Sequence, residues 1–133
     1  MSKSSVDVVN AYLAAIKAKD VDAIMATLSD DCQFHTPCVP PPTPKLLSGI
    51  PEIRPVFVYL FEHAFQKFSF DRLDVYQTSD PEFVTVHAHS AITLFGDKPY
   101  GNDYAYFARV RDGKIVEFWE FFDTTRAAVA MNV

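Results

Sequence analysis

Two spacings of hydrophobic residues divide this chain of 133 residues. Up to about residue 65 they recur every three or four positions, which predicts helices, and beyond it they alternate with polar residues, which predicts strands. Helices followed by a run of strands favour an α+β fold, with the helices covering one face of a sheet. The length fits one domain, residues 1–133.

The first half predicts three helices. Ser4 and Asp7 can cap the first helix, and Asp20 can cap the second. The third runs from about Pro51 to Phe65, and its frequent apolar residues indicate that it is mostly buried. The apolar positions of the three helices are Val6, Val9, Leu13 and Ile16, then Val21, Ile24, Met25 and Leu28, then Ile53, Val56, Phe57, Leu60, Phe61 and Ala64.

The remaining segments predict strands, turns and a final helix. Asp30-Asp31 is typical of a turn, Cys32–Thr36 of a short strand, and the proline-rich segment 37–44 of an ordered loop. In the second half, the alternating pattern predicts a curved, mostly antiparallel sheet. Its strands are Phe68–Thr78, Phe83–Phe95, Asn102–Arg111 and Lys114–Asp123, and a short helix follows over Thr124–Met131.

The turn between the last two predicted strands decides which side chains share a face. If Asp112-Gly113 forms a type I turn with a glycine bulge, Tyr104 and Tyr106 lie on the same face as Glu120. A tight two-residue turn would put the opposite face of that strand there instead. We prefer the bulge, because it gathers the polar groups on one face.

One carboxylate of the last strand lies among aromatic rings. Glu120 shares a face with Phe118 and Phe122, whereas Trp119 and Phe121 face the other way. Burying an ionised carboxylate without a partner costs much free energy. Glu120 therefore lies at a wet edge, pairs with a cation, or lines a pocket where burial raises its pKa.

Composition excludes several classes of partner. A net charge of −5 argues against nucleic acid or an anionic membrane as the main partner, and no segment is long and apolar enough to span a membrane. The first residues lack the features of a signal peptide, so we expect a cytoplasmic protein. Cys32 and Cys38 do not form a disulfide framework, and we find neither metal-ligand spacing nor a nucleotide motif. We therefore expect no metal and no cofactor.

Three segments resemble the nuclear transport factor 2-like superfamily, which includes ketosteroid isomerase, SnoaL-like polyketide cyclases, limonene epoxide hydrolase and phenazine-biosynthesis proteins. They are YLAAIKAKDVDAIMATLSDDCQFHTP, SGIPEIR and YGNDYAYFARVRDGKIVEFWEFFD, and the last is most similar to the phenazine-type and SnoaL-like branch. The resemblance implies a cone-shaped α+β barrel, with three helices packed in the curved sheet, and a homodimer formed through the sheet face. It leaves the reaction open, because this fold hosts many chemistries.

The resemblance assigns roles to single positions. Tyr12 falls where ketosteroid isomerase has an oxyanion-binding tyrosine, and Tyr106 falls near its second donor. Thr36 stands at the position of its aspartate base, and a hydroxyl cannot be that base at neutral pH. Glu120 resembles the water-activating carboxylate of limonene epoxide hydrolase. The resemblance thus makes Glu120 the candidate acid or base.

Two histidines are candidates for a second proton carrier. His87 and His89 share one face of a strand, near positions where the hydrolase has a functional Arg and Asp. They face either the pocket or the outside of the sheet, and the resemblance favours the pocket. The helix stripe containing Phe57 is a pocket wall in this fold as well as core.

These observations lead to a prediction and two alternatives. The prediction is an isomerase, cyclase, dehydratase or hydrolase that acts on a small hydrophobic, cyclic or aromatic molecule, with Glu120, His89 and His87 as catalytic residues. The expected ligand contacts are Tyr12, Thr36, Phe57, Tyr104, Tyr106 and Phe118. The alternatives are a binding protein without chemistry, and an interaction module that dimerises through outward aromatic side chains.

Overall fold

A computed structural model describes residues 3–131 and confirms the α+β class. Each of the predicted helices and long strands is present, with boundaries shifted by a few residues. The elements are α1 (Ser5–Lys17), α2 (Val21–Ala26), β1 (Leu28–His35), β2 (Leu46–Ser48), α3 (Ile50–His63), β3 (Phe65–Gln77), β4 (Phe83–Leu94), β5 (Lys98–Tyr100), β6 (Asp103–Arg111), β7 (Lys114–Phe122) and α4 (Thr124–Met131).

The helix caps follow the sequence. The Ser4 side chain accepts the Asp7 N–H and the Asp7 carboxylate accepts the Ser4 N–H, which completes a capping box at the start of α1. Asp20 accepts the Ala23 N–H at the start of α2. The expectation that α3 is mostly buried is wrong. Its fully buried side chains are Ile53, Phe57 and Phe61, because one side of the helix faces solvent.

The strands form one curled sheet in the order β2-β1-β7-β6-β4-β3, with β5 paired to β4. The β1–β7 pair is parallel, and the other pairs are antiparallel. The sheet does not close into the expected barrel, and α3 contacts both edge strands, β2 and β3. Helix α1 packs on the concave face against β3, β4, β6 and β7. The helices and the concave face enclose the main hydrophobic core.

The predicted strands need two corrections. Asp30-Asp31 is not a turn but part of β1, where an irregularity in the pairing with β7 leaves both side chains exposed. Strands β2 and β5 were not predicted, because strands of three residues are too short to show alternation.

In residues 3–131, no helix has the length and apolar character needed to cross a membrane.

The last hairpin has the faces we predicted, but not the turn. Asp112 and Gly113 both have positive φ, of 53° and 74°, as in a tight two-residue turn. The register then shifts by one residue between the pairs Val110–Ile115 and Arg109–Glu117. This bulge in β7 restores the arrangement that the tight turn alone would have reversed, and Tyr106 pairs directly with Glu120.

Asn102 is fully buried and ties together the ends of three strands. Its Oδ1 accepts the backbone N–H groups of Asp103 at 2.8 Å and Asp123 at 3.1 Å. Its Nδ2 donates to the Asp123 carbonyl at 3.0 Å and to the Tyr100 hydroxyl at 2.6 Å. Its own N–H donates to Ser90 Oγ at 3.0 Å. The sequence analysis treated Asn102 only as a residue at the start of a strand.

We predict that Asn102→Ala lowers the free energy of unfolding by about 3 kcal/mol, since it leaves several buried polar groups without partners. Chemical denaturation measures this change. The control is Thr85→Ala on β4, a half-buried position whose side chain makes no hydrogen bond within the described chain. A loss no larger than that of the control would contradict a structural role for Asn102.

Candidate functional site

A cavity of about 750 Å³ lies between the concave side of the sheet, α3, the proline-rich loop and α4. Such a volume suits a small organic molecule. Its lining is mostly apolar, and its polar side chains are concentrated on β5, β6 and β7. The lining residues are Ile16, Cys38, Val39, Pro40, Phe57, Leu60, Phe61, Phe65, Phe68, Tyr100, Tyr104, Tyr106, Glu120, Phe122, Thr124, Thr125, Ala127, Ala128, Val129 and Met131.

Glu120 lines this cavity. Of the three alternatives for its carboxylate, a wet edge, a cation partner or a pocket, the structure therefore has the pocket. The side chain is partly exposed because it borders the cavity, and protein atoms surround it on its other sides. Burial alone raises the pKa of its carboxyl to about 7, without a contribution from any cation or hydrogen bond of the described residues. At neutral pH the protonated and ionised forms therefore coexist, and Glu120 can both give and take a proton.

Phenol hydroxyls lie on the wall beside this carboxyl. Tyr104 and Tyr106 line the cavity as predicted, with their rings stacked at 5.3 Å, and Tyr100 lies on the neighbouring short strand β5. Burial raises the pKa of all three phenols, and the charge of Glu120 raises it further. The three hydroxyls remain protonated at neutral pH and are available as hydrogen-bond donors.

Two predicted ligand contacts lie behind the wall instead. Tyr12 and Phe118 are almost fully buried, and their ring centroids are 4.9 Å apart. Phe118 also stacks on Phe34 at 4.9 Å. Neither Tyr12 nor Phe118 belongs to the cavity lining, because α1 packs closely onto β7 at this point. The pKa of Tyr12 is raised first by burial and then by the charge of Glu120, so its hydroxyl stays protonated at neutral pH.

Thr36 has a structural role in this chain. Its hydroxyl donates to the Pro44 carbonyl at 2.8 Å, and its N–H donates to the Lys45 carbonyl at 2.8 Å. These bonds close the base of the proline-rich loop. Thr36 lies outside the cavity lining, so the expected ligand contact is not formed.

The expectation that two histidines face the pocket is wrong. Strand β4 alternates, and its buried face carries Val84, Val86 and Ala88, so His87 and His89 lie on the outer face. His89 Nδ1 is 2.6 Å from Asp71 Oδ1, on the neighbouring strand. A sheet position on the opposite face cannot deliver a proton to the cavity, which leaves Glu120 without a histidine partner there.

The sequence analysis missed much of the cavity wall. Phe57 and its helical stripe were predicted to form pocket wall. The other aromatic lining residues, Phe61 on α3 and Phe65 and Phe68 on β3, extend that wall. Tyr100 was not predicted, because its strand is too short to show alternation. Its link to the site is the hydrogen bond from Asn102, two residues further along the chain. Helix α4 was predicted without a role, but its residues form one side of the cavity. Among residues 3–131 there is no cluster of His, Cys, Asp or Glu that could bind a metal ion.

Comparison with known proteins gives one family and several similar folds. Residues 9–118 match the family model of the SnoaL-like domain. Austinoid biosynthesis clusters protein J of Emericella nidulans is 30% identical over 121 residues, which cover 86% of this chain and 72% of that protein.

Two solved structures illustrate the fold. A candidate polyketide cyclase from Pseudomonas putida has a TM-score of 0.83 at 17% identity, with 97% of this chain and 98% of that one covered. A phenazine biosynthesis-related protein from Pseudomonas aeruginosa has a TM-score of 0.78 at 20% identity, with 95% and 79% covered. At these identities the likeness establishes a shared fold.

The raised pKa of Glu120 predicts how stability depends on pH. The folded pKa of about 7 exceeds the ordinary value of 4.5, so Glu120 stabilises the fold fully below about pH 4.5, and this contribution is lost as pH rises through 7. Glu120→Gln removes this dependence. Relative to the wild type, the variant should gain up to about 3 kcal/mol in free energy of unfolding between pH 4 and pH 8. Urea denaturation at both pH values measures it, and a difference independent of pH would contradict it.

Proposed function

The chain belongs to the SnoaL-like family, and from that premise we propose that it is a cofactor-independent acid/base enzyme of small-molecule metabolism. It isomerises, cyclises, dehydrates or hydrolyses a hydrophobic cyclic or aromatic compound bound in the cavity. One observation carries the proposal, namely a carboxyl with a pKa of about 7 in an apolar, phenol-lined cavity. We place the enzyme in the cytoplasm, because both cysteines are unpaired.

The arrangement supports proton transfer next to a carbonyl group. A phenol hydroxyl of the wall donates a hydrogen bond to the carbonyl oxygen, which stabilises the negative charge that develops on it. Ionised Glu120 takes a proton from the adjacent carbon, and the protonated carboxyl returns it to another position of the same molecule. Burial in the apolar cavity keeps the carboxyl basic enough for the first step and acidic enough for the second.

The names of the similar proteins support a biosynthetic role. One relative is named for austinoid biosynthesis, and the structures are named for polyketide cyclisation and phenazine biosynthesis. Each of these names concerns the metabolism of cyclic small molecules. A mostly apolar cavity of about 750 Å³ has room for a compound of several fused rings.

The second candidate is a binding protein without chemistry. It is favoured by Thr36, which stands where ketosteroid isomerase has its base and whose hydroxyl is engaged by Pro44. Glu120 is then the one carboxylate among the lining residues that the structure describes. Such a protein would bind the same ligands and leave them unchanged.

Hydrogen exchange distinguishes these candidates without knowledge of the substrate. Bicyclic and tricyclic ketones, including 1-tetralone, are incubated with the protein in D₂O, and NMR follows deuterium entering the carbon next to the carbonyl. We predict that the wild type accelerates this exchange for at least one ketone, and that Glu120→Gln slows it at least about 100-fold while ketone binding persists.

The matched control for this experiment is Glu117→Gln. Glu117 is on the same strand but faces outward, where its Oε2 is 2.8 Å from His35 Nε2. This variant should exchange at the wild-type rate. Binding without acceleration would contradict proton transfer next to a carbonyl and favour the second candidate, and exchange in Glu120→Gln within a few-fold of the wild type would remove Glu120 from the chemistry.

We also propose that a second copy of this chain covers the outer face of the sheet. That face carries an aromatic cluster of Phe83, Phe107, Trp119 and Phe121, in which Phe83 and Phe107 stack at 6.3 Å. His35 stacks on Trp119 at 4.9 Å beside this cluster. Aromatic side chains contribute much of the binding free energy of protein interfaces.

Light scattering coupled to size exclusion tests this assembly. The wild type should have twice the mass of the 15.0 kDa chain. Trp119→Asp should dissociate it, because a carboxylate at the centre of the aromatic cluster would be desolvated in the dimer. Tyr59→Asp, at an exposed position of α3, should remain dimeric. A wild type that elutes as a single chain at micromolar concentration would contradict the proposal.

A further inference from the structure

We propose that Tyr100, held by Asn102, is the hydrogen-bond donor that selects ligands carrying a carbonyl or phenolate oxygen and positions that oxygen in the cavity. The inference rests on the proposed use of the cavity for a small apolar molecule, and it names the group by which that molecule is recognised. Tyr100 is a ligand-contacting residue in this proposal, and Asn102 is a positioning residue.

The first step is the orientation of the Asn102 amide. Two backbone N–H groups, of Asp103 and Asp123, point at one end of the amide, and that end must therefore be the oxygen. The other end is the Nδ2 group, which can only donate. It donates to the Asp123 carbonyl at 3.0 Å and to the Tyr100 hydroxyl at 2.6 Å. The orientation is thus fixed by chemistry and cannot be reversed.

The second step is a count of protons at Tyr100. Its hydroxyl oxygen accepts the bond from Asn102, so its own proton is not used in that contact. Tyr100 is also hydrogen-bonded to Tyr104, and this bond lowers the pKa of Tyr100 and raises that of Tyr104, as when the Tyr104 hydroxyl donates to the Tyr100 oxygen. The Tyr100 oxygen then accepts both bonds, and its proton is left over on a side chain that lines the cavity. Burial raises the pKa of Tyr100, so the proton is retained at neutral pH. Tyr100 therefore offers a donor to whatever occupies the cavity.

The same amide supports a second phenol. The Asn102 backbone N–H donates to Ser90 Oγ at 3.0 Å. The Ser90 hydroxyl in turn donates to the Tyr104 hydroxyl oxygen at 3.3 Å. The Tyr104 proton is then used in the bond to the Tyr100 oxygen. Ser90 and Asn102 are both fully buried, so this support is rigid and shielded from water. One buried amide therefore sets both phenols in place, and the Tyr100 proton remains for the cavity.

The third step is the chemistry that such a wall accepts. Phenol oxygens that already accept a bond from the protein act on a ligand mainly as donors. A ligand without an acceptor oxygen would displace water from the phenol hydroxyl without accepting a hydrogen bond from it. The unpaired donor would then cost binding free energy. A site built around hydrogen bonds therefore discriminates strongly against an analogue that lacks the polar atom. The wall favours ketones, quinones and phenolates over hydrocarbons of the same shape.

A matched pair of probes tests this inference. 1-Tetralone and tetralin share their bicyclic frame and differ in the carbonyl oxygen. The wild type should bind tetralone at least about tenfold more tightly than tetralin, as one hydrogen bond to a well-placed donor allows. Tyr100→Phe should reduce this preference to within about threefold, with the affinity for tetralin unchanged. NMR titration measures both affinities.

Infrared spectroscopy of the bound ketone provides a readout that a purely structural residue would not move. Hydrogen bonding lowers the C=O stretching frequency, so the band of tetralone should move to higher frequency in Tyr100→Phe than in the wild type. The control is Tyr76→Phe, because Tyr76 is exposed on β3 and lies outside the cavity lining. This control should keep both the wild-type preference and the wild-type band.

Asn102→Asp tests the positioning role directly. The introduced carboxylate can still accept the two backbone N–H groups, but in place of Nδ2 it would accept the Tyr100 proton and withdraw it from the cavity. Selectivity should fall as in Tyr100→Phe, although the phenol is intact. If this variant does not fold, the Tyr100→Phe measurements decide alone.

The inference is overturned if the wild type shows no tenfold preference for tetralone, or if Tyr100→Phe keeps the preference and the infrared band. Its failure can be told apart from failure of the proposed function. Deuterium exchange reports on Glu120, whereas the probe pair reports on Tyr100 and needs no turnover. Selective ketone binding without deuterium exchange would support the role of Tyr100 in ligand selection and contradict proton transfer by Glu120.

Discussion

The desolvated carboxyl of Glu120 constrains much of the remaining structure. An acid surrounded by apolar groups, with no cation beside it among the described residues, ionises only at a cost in free energy. The fold must offset this cost by packing elsewhere. It does so directly behind the acid, where Tyr12, Phe34 and Phe118 form a close aromatic layer between α1 and β7. The close packing of the core therefore helps the fold to tolerate the buried acid on which the chemistry of the cavity depends.

The two sides of the cavity are held in different ways. On the sheet side, a buried amide fixes the phenols, and each hydrogen bond is shielded from water. On the other side, α4 contains no fully buried residue. It is tied to the sheet by the partial packing of Ala127, Ala130 and Met131 and by exposed contacts such as Lys98 Nζ to the Ala130 carbonyl at 2.6 Å. Exposed contacts of this kind open at low cost. The polar wall is thus rigid, and the apolar wall can adapt to ligand shape.

Local rules were enough to predict most of the elements and their faces. Capping residues set the start of α1, and alternation placed Glu120 on the same face as Phe118. The failures have two physical causes. Alternation tells which residues share a face of β4, but not which face is inside, so His87 and His89 were assigned wrongly. Tyr100 was missed for another reason, because its strand β5 has three residues, too few to show alternation.

The bulge in β7 has a consequence for how this family can change. Beyond it, the strand carries two complete and different surfaces, one with the acid and one with Trp119 and Phe121. Loss of Val116, the extra residue of the bulge, would leave Arg109 paired with Glu117 and Tyr106 paired with Glu120, so both surfaces would stay in place. Loss of one residue between Glu117 and Glu120 would instead turn Glu120 to the outer face. The bulge is therefore a position where the strand can change its length by one residue and keep the acid in the cavity, whereas the same change farther along β7 would alter the chemistry of the cavity.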